Sequence, residues 1–296
     1  MEASAARRSR LGVWWLAIRP RTLVAGVVPV LVGLAAAERS GPLHTGVGWA
    51  TLACAVLLQI ATNLANDYFD HAHGIDTEER LGPLRVTQAG LLAPASVRAA
   101  MIGTLAVAAA LGLWLVAVGG LPIALIGAAS IAGAVAYSAG PWPLAAMGLG
   151  EVMAFAFFGM VAVNGTYYLQ TRTIDAVSVL ASLPVAFLVT AILVVNNLRD
   201  IPTDRATGKR TLAVRLGDRA TRVEYTLLVL LAFASAIVLC LETGPWVLIC
   251  FAALPTAIFE IRGVWRRRGR ALNESLAGTA RLELIFGLLL AGGLLA

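Results

Sequence analysis

Residues 96–138 read SVRAAMIGTLAVAAALGLWLVAVGGLPIALIGAASIAGAVAYS. Two apolar runs, roughly 96–118 and 121–138, approach or exceed the 20 or so helical residues that cross a bilayer's hydrocarbon core. Their junction, Gly119-Gly120-Leu121-Pro122, is a turn signal, so the pair reads as a tight helical hairpin. Extending the reading outward gives nine apolar runs, at roughly 22–38, 48–66, 96–118, 121–138, 147–169, 176–198, 224–241, 244–261 and 281–296. Two long polar loops, roughly 67–95 and 199–223, interrupt them, and an Arg-rich stretch lies at 262–281.

Composition agrees. The 296 residues are 59% hydrophobic and 14% charged, against roughly 25% charged in a soluble domain. Mean hydropathy is +0.81. Such a chain has too little polar surface to dissolve, so lipid is its solvent. Nine spans use about 180 residues, which leaves short loops and a single transmembrane domain over 1–296. The expected fold class is an all-α integral membrane protein of about nine helices.

Arg7, Arg8 and Arg10, followed by an apolar stretch ending in Ala35-Ala36-Ala37, have the outline of a secretory signal. The length, the pair Trp14-Trp15 and the later spans favour a retained first helix instead. Cys54, Cys240 and Cys250 lie inside apolar runs without metal-ligand spacing and read as small buried hydrophobes.

The net charge of +6 comes almost wholly from arginine. With nine spans and a cytoplasmic N-terminus, only Arg39 and Arg172 of the 23 basic residues fall outside, as the positive-inside rule requires. A miscounted helix between two basic loops would scramble that pattern. Topology therefore explains the charge, and a nucleic-acid partner is not expected. The run Trp265-Arg266-Arg267-Arg268-Gly269-Arg270 reads as a topology determinant beside anionic lipid.

The acids are clustered. Asp67, Asp70, Asp76, Glu78 and Glu79 follow the second run, and Asp200 and Asp204 follow the sixth. Both groups follow even-numbered spans and so share the cytoplasmic side. If the second helix continues, Asn63, Asn66, Asp67 and Asp70 form one stripe. Asn196 and Asn197 precede Asp200 and Asp204, which are i, i+4; Pro202 between them allows a kink or a new segment. Acids facing one another in low dielectric need a cation between them. Oxygen-only ligands suit Mg²⁺, which favours a few carboxylates with phosphate oxygens and water. Glu78 and Glu79 read as loop-solvating acids.

Three stretches carry a family resemblance. NDYFDHAHGID (66–76) resembles the first aspartate-rich motif of the UbiA superfamily of intramembrane prenyltransferases, and NNLRDIPTDRATGKRTLAVRLG (196–217) resembles the second. YSAGPWPLAAMGLGE (137–151) is similar to the junction of the fourth and fifth helices in the 1,4-dihydroxy-2-naphthoate branch. Asn66 and Asp70 fit the pattern of the 4-hydroxybenzoate branch, but position 74 is Gly and the next acid is Asp76, a spacing that looks like the naphthoate branch.

The resemblance implies a cavity at the cytoplasmic helix ends, in which Mg²⁺ on Asp67, Asp70, Asp200 and Asp204 neutralises the diphosphate leaving a prenyl chain. Lys209, Arg210 and Arg85 are candidate phosphate contacts. Asn63, Asn66, Asn196, Asn197 and Tyr137 complete the expected substrate-binding set, with Asp76 and Glu151 as catalytic candidates at the acceptor. Phe155, Phe158, Tyr167 and Tyr168 are candidates to face the allyl cation. The implied reaction joins a prenyl diphosphate to an aromatic acceptor, dihydroxynaphthoate, with loss of CO₂, as in menaquinone biosynthesis. Rival readings are the same fold with another acceptor, such as 4-hydroxybenzoate, and a secondary transporter. The transporter is disfavoured because the acids cluster at helix ends and not at the midplane. The D-G-x2-A-R core of a CDP-alcohol phosphotransferase is absent.

Overall fold

The structure is a computed structural model that describes residues 9–72, 81–137 and 143–296. Every regular element among the described residues is helical, as spanning segments in lipid must be if each backbone N–H and C=O is to find a partner. A bent pair opens the chain: α1 (Arg10–Ile18) with the 3₁₀ turn Pro20–Thr22, then α2 (Val24–Glu38), at 50°. Next come α3 (Thr45–Ala72), α4 (Pro94–Gly119), α5 (Leu121–Ala136) and α6 (Gly150–Thr171). After them lie α7 (Ala176–Ala206), the short α8 (Leu212–Leu216), α9 (Asp218–Thr243), α10 (Pro245–Arg266) and α11 (Gly269–Leu295).

Seven of these are long and apolar enough to span, the bent pair supplies an eighth candidate, and the 16-residue α5 is a shorter apolar helix. The hairpin expected at 119–122 is present. Gly120 adopts φ 72, a conformation costly for other residues, and α5 restarts with Pro122 in its first turn.

Boundaries moved where polar residues belong to helices. α3 runs through the whole first motif to Ala72, and α7 continues unbroken through Pro184 and Pro202 to Ala206. The ninth run, expected from 281, belongs to a helix that starts at Gly269, so most of the expected Arg-rich loop is helix. Asn273 and Glu274 lowered its hydropathy, yet Asn273 bonds protein partners and the exposed Glu274 pairs with Arg267.

Side-chain hydrogen bonds sort the helix ends. Arg39, at the end of α2, donates to the carbonyls of Thr243 and Leu294, at the ends of α9 and α11. Arg199, in the last turns of α7, donates to Asn273 at the start of α11, and Asn273 donates to Leu81 O beyond α3. These contacts place the ends of α2, α9 and α11 together, and the two acid-bearing ends of α3 and α7 together with the start of α11.

α7 and α11 are central, with 61% of each spanning window buried, against 17% for α4. Lipid offers no hydrophobic drive between helices, so they associate by close backbone approach at small residues. A Cβ at Gly159 would collide with Ala186 of α7, and one at Gly287 with Val28 of α2. α4 and α5 stand apart from this core, and Leu121 and Leu125 are exposed as on a lipid-facing surface. The gap between that hairpin and the core is a cavity of about 710 Å³.

Candidate active site

The cavity is apolar at depth and polar at one mouth. α3 supplies Gln59, Asn63, Asn66 and Asp70, at i, i+4, i+7 and i+11; α7 supplies Asn196, Asn197, Asp200 and Asp204. Arg85, Tyr137 and Lys209 also line it. The two sequence motifs therefore converge on one space. Lys209 Nζ of the second motif stands 3.8 Å from Asp70 Oδ1 of the first. The carboxylates of Asp70, Asp204 and Glu151 all lie within electrostatic reach of Tyr137.

Each end solves its charge problem differently. Asp70 Oδ2 accepts a 2.7 Å bond from Arg85 Nη2, with Lys209 near its other oxygen. Asp200 receives its neighbour Arg199 through two bonds, of 2.8 and 2.6 Å. The Arg199 side chain is fully buried and also donates to Asn196 Oδ1 and Asn273 Oδ1. The cations required beside these acids are thus side chains of the chain itself.

Asp67 is set apart from this group. About 100° of helical rotation per residue turns it away from Asn66 and the cavity. Its Oδ1 accepts from the Thr87 amide at 3.0 Å and its Oδ2 from the Val86 amide at 3.1 Å, and the residue is 1% exposed. It holds the loop that carries Arg85. Arg210 is exposed and does not line the cavity; its amide donates to Ala146 O, which ties the second motif to the turn before α6. Asn63 lines the cavity while its amide fastens α3 to Ile18 O and Thr22 Oγ1 at the bend of the first helices.

Behind the wall, Glu151 is buried and its Oε1 accepts a 2.8 Å bond from Asn197 Nδ2. Asn197 therefore stands between Glu151 and the cavity. Asp76, Glu78, Glu79 and the stretch 138–142 lie outside the described residues.

No group of three or more His, Cys, Asp or Glu forms a ready metal cage among the described residues. The donor set at the mouth is nevertheless oxygen-only, from Asp70, Asp200, Asp204 and side-chain amides. It suits a hard cation that keeps water and takes phosphate oxygens as further ligands.

With this geometry in place, likeness to known proteins is informative. The model of the UbiA prenyltransferase family matches residues 26–285. The chain belongs to the UbiA prenyltransferase family. The 1,4-dihydroxy-2-naphthoate octaprenyltransferase of Mycobacterium tuberculosis is 41% identical over 285 residues, 95% of this chain and 96% of that one. That of Bacillus subtilis is 31% identical over 286 residues, 96% and 92% of the two chains. Among solved structures, a UbiA homolog from Aeropyrum pernix K1 superposes with a TM-score of 0.70 at 19% identity, covering 90% of this chain and 96% of that one. A homolog from Archaeoglobus fulgidus bound to DMAPP and Mg²⁺ gives 0.67 at 13%, covering 94% and 99%.

This UbiA-family chain is a multi-pass membrane protein, and its cavity wall contains features the sequence did not mark. Phe158 lines the cavity as expected and Phe157 joins it, but Phe155 packs edge-on against Phe187. Tyr167 bonds Asp175 and Ser40, and Tyr168 packs in a separate apolar cluster. The cause is the π-helical segment Ala154–Val161 inside α6. Cavity-lining residues of α6 fall at 153–154, 157–158, 161–162, 165–166 and 169, a period of four. A plain α-helix would drift about 40° every four residues; the wider π turn takes up that drift and keeps the face aligned. Gln59 and Arg19 also line the cavity, Arg19 with a left-handed φ of 51. A polar residue inside an apolar run, one turn deeper than Asn63, was the available signal for Gln59.

Proposed function

We propose that the chain transfers a prenyl chain from its diphosphate to 1,4-dihydroxy-2-naphthoate, with loss of CO₂, in menaquinone biosynthesis. The observation that carries the reading is Lys209 beside Asp70, the contact that joins the two aspartate motifs at the mouth of one cavity. The acceptor rests on the near full-length identity to naphthoate prenyltransferases and on the acid spacing of the first motif.

Asp70, Asp200 and Asp204 would hold Mg²⁺, which when bound would supply positive charge to neutralise a departing diphosphate. Lys209 and Arg85 contact its oxygens directly. Asn66 and Asn196 orient the phosphates by hydrogen bonds. Asp67 keeps Arg85 in place and is not a ligand. The apolar walls exclude water from the allyl cation, and Phe157 and Phe158 present ring faces to it. Tyr137 and Asn197 line the acceptor side, and Glu151 behind them acts through the Asn197 amide. Asp76 belongs to the same acceptor end by its place in the motif. One transmembrane domain, residues 1–296, sits in the cell membrane with nine spans, its N-terminus and the polar mouth facing the cytoplasm.

The test is purified protein in detergent with Mg²⁺, a mixture of prenyl diphosphates and dihydroxynaphthoate, with products read by mass spectrometry and CO₂ trapped. Demethylmenaquinol and CO₂ are expected in equal amounts. Product from 4-hydroxybenzoate but none from dihydroxynaphthoate would reassign the acceptor. Near-wild-type turnover in both Asp70→Asn and Asp200→Asn would remove the metal assignment.

A further inference from the structure

We infer that Gln59 is the residue that recognises the acceptor, taking a hydrogen bond on its Oε1 from the ring hydroxyl farther from the carboxylate. The inference rests on the acceptor proposed above. Gln59 lines the cavity, is 7% exposed, and its Oε1 is buried with no hydrogen-bond partner. A carbonyl oxygen left dry in an apolar wall is destabilising, and such atoms are commonly explained by what binds there.

The atom is an acceptor, so it selects a donor. A prenyl chain carries none, and an ionised diphosphate carries none. The hydroquinone ring carries two hydroxyls. The one beside the carboxylate is held internally by that carboxylate, as in salicylates. The other has a free proton.

Position agrees with this assignment. Gln59 lies on the same helix face as Asn63, Asn66 and Asp70 and is 11 residues from Asp70, about 16 Å along the axis. A diphosphate at the mouth, the two reacting carbons and the ring, laid end to end, fill that length. Gly26 lets α2 pack closely on α3 beside Gln59: a Cβ there would stand 3.5 Å from the Gln59 Cβ and 3.3 Å from Ala55 O. Neighbouring cavity residues Cys54, Ala55 and Leu58 are apolar or weakly polar, and the hydroxyls of Thr22, Thr51 and Thr62 already donate to backbone carbonyls, which leaves the Gln59 amide oxygen as the unengaged directional acceptor there.

The test is a cycle between residue and ligand. Equilibrium binding of dihydroxynaphthoate and of 1-hydroxy-2-naphthoate, which lacks only the distal hydroxyl, is measured for wild type, Gln59→Leu and the near-isosteric Gln59→Met. Wild type is expected to bind the diol about tenfold tighter than the analogue. Both variants are expected to lose that preference, to bind the analogue as wild type does, and to keep the wild-type KM for prenyl diphosphate. Equal weakening of both ligands, or unchanged discrimination, would overturn the assignment while leaving the acceptor standing. A wild type that turns over another acceptor but not dihydroxynaphthoate would overturn the acceptor reading first. If neither variant folds in thermal unfolding, Gln59 is structural and the inference fails.

Discussion

The two acid-bearing helix ends look alike in sequence, each an amide-rich turn followed by aspartates, but they are built differently. The end of α3 is assembled from afar: Arg85, 15 residues on, and Lys209, in the other motif, neutralise Asp70, and Asp67 holds the Arg85 loop. The end of α7 is self-contained, because Arg199 neutralises the residue beside it and is locked by Asn196 and Asn273. A site that must accept and release a charged ligand gains from one adjustable wall and one fixed wall. Asp70 is then the acid most exposed to loss. Asp70→Asn removes a proposed metal ligand and the partner of two cations, and turnover is expected to fall about a thousandfold. Single-turnover product formation measures it; a fall of less than tenfold would mean that α3 only lines the mouth.

The fixed wall is tested by stability. Arg199→Gln strands Asp200 beside a buried gap and is expected to cost about 3–5 kcal/mol, read as thermal unfolding in detergent. Adding Asp200→Asn removes the stranded charge and is expected to restore part of the loss, though not the activity. If Arg199→Gln melts like wild type, the second end is not prebuilt and the contrast fails. Asp67→Asn sharpens the comparison on the other side. Its amide group sets a donor against a backbone donor, at a cost of about 1–3 kcal/mol. The expected signature is a KM for prenyl diphosphate raised several-fold through Arg85, with the Mg²⁺ concentration for half-maximal rate unchanged. A shifted Mg²⁺ midpoint would make Asp67 a ligand after all.

Much of this was legible because the membrane enforces simple rules. Long apolar runs must be helices, and the sidedness of Arg and Lys fixes which ends pair; the Arg39 and Asn273 contacts obey that pairing. Helix parity put Asp70, Asp200 and Asp204 on one side of the bilayer; that they line one cavity came from the structure. What escaped depended on rotation and on distant partners. Asp67 shares a broad stripe with Asn66 and Asp70 on paper, but its partners are the amides of Val86 and Thr87, about 20 residues later and invisible to a local pattern. Phe157 escaped because a π-helical segment, in which Gly159 packs closely on Ala186, changes the period within α6. The start of α11 was missed because hydropathy weighs a residue against lipid, whereas Asn273 is solvated by Arg199 and a backbone carbonyl.

The smallest expected effect on turnover comes from Pro202, which sits between Asp200 and Asp204 without ending α7. Its ring removes the N–H that would bond Leu198 O, and in a helix interior that costs about 3 kcal/mol. Pro202→Ala is therefore expected to raise thermal stability while turnover stays within about threefold. Arg199 aims Asp200, so restoring one backbone bond at position 202 changes little at the mouth. Asp204 is the sensitive point, because it lies on the C-terminal side of the proline and any kink would swing it. A Pro202→Ala enzyme as inactive as Asp70→Asn would show that the proline, and not the arginine, sets the distance between the two walls.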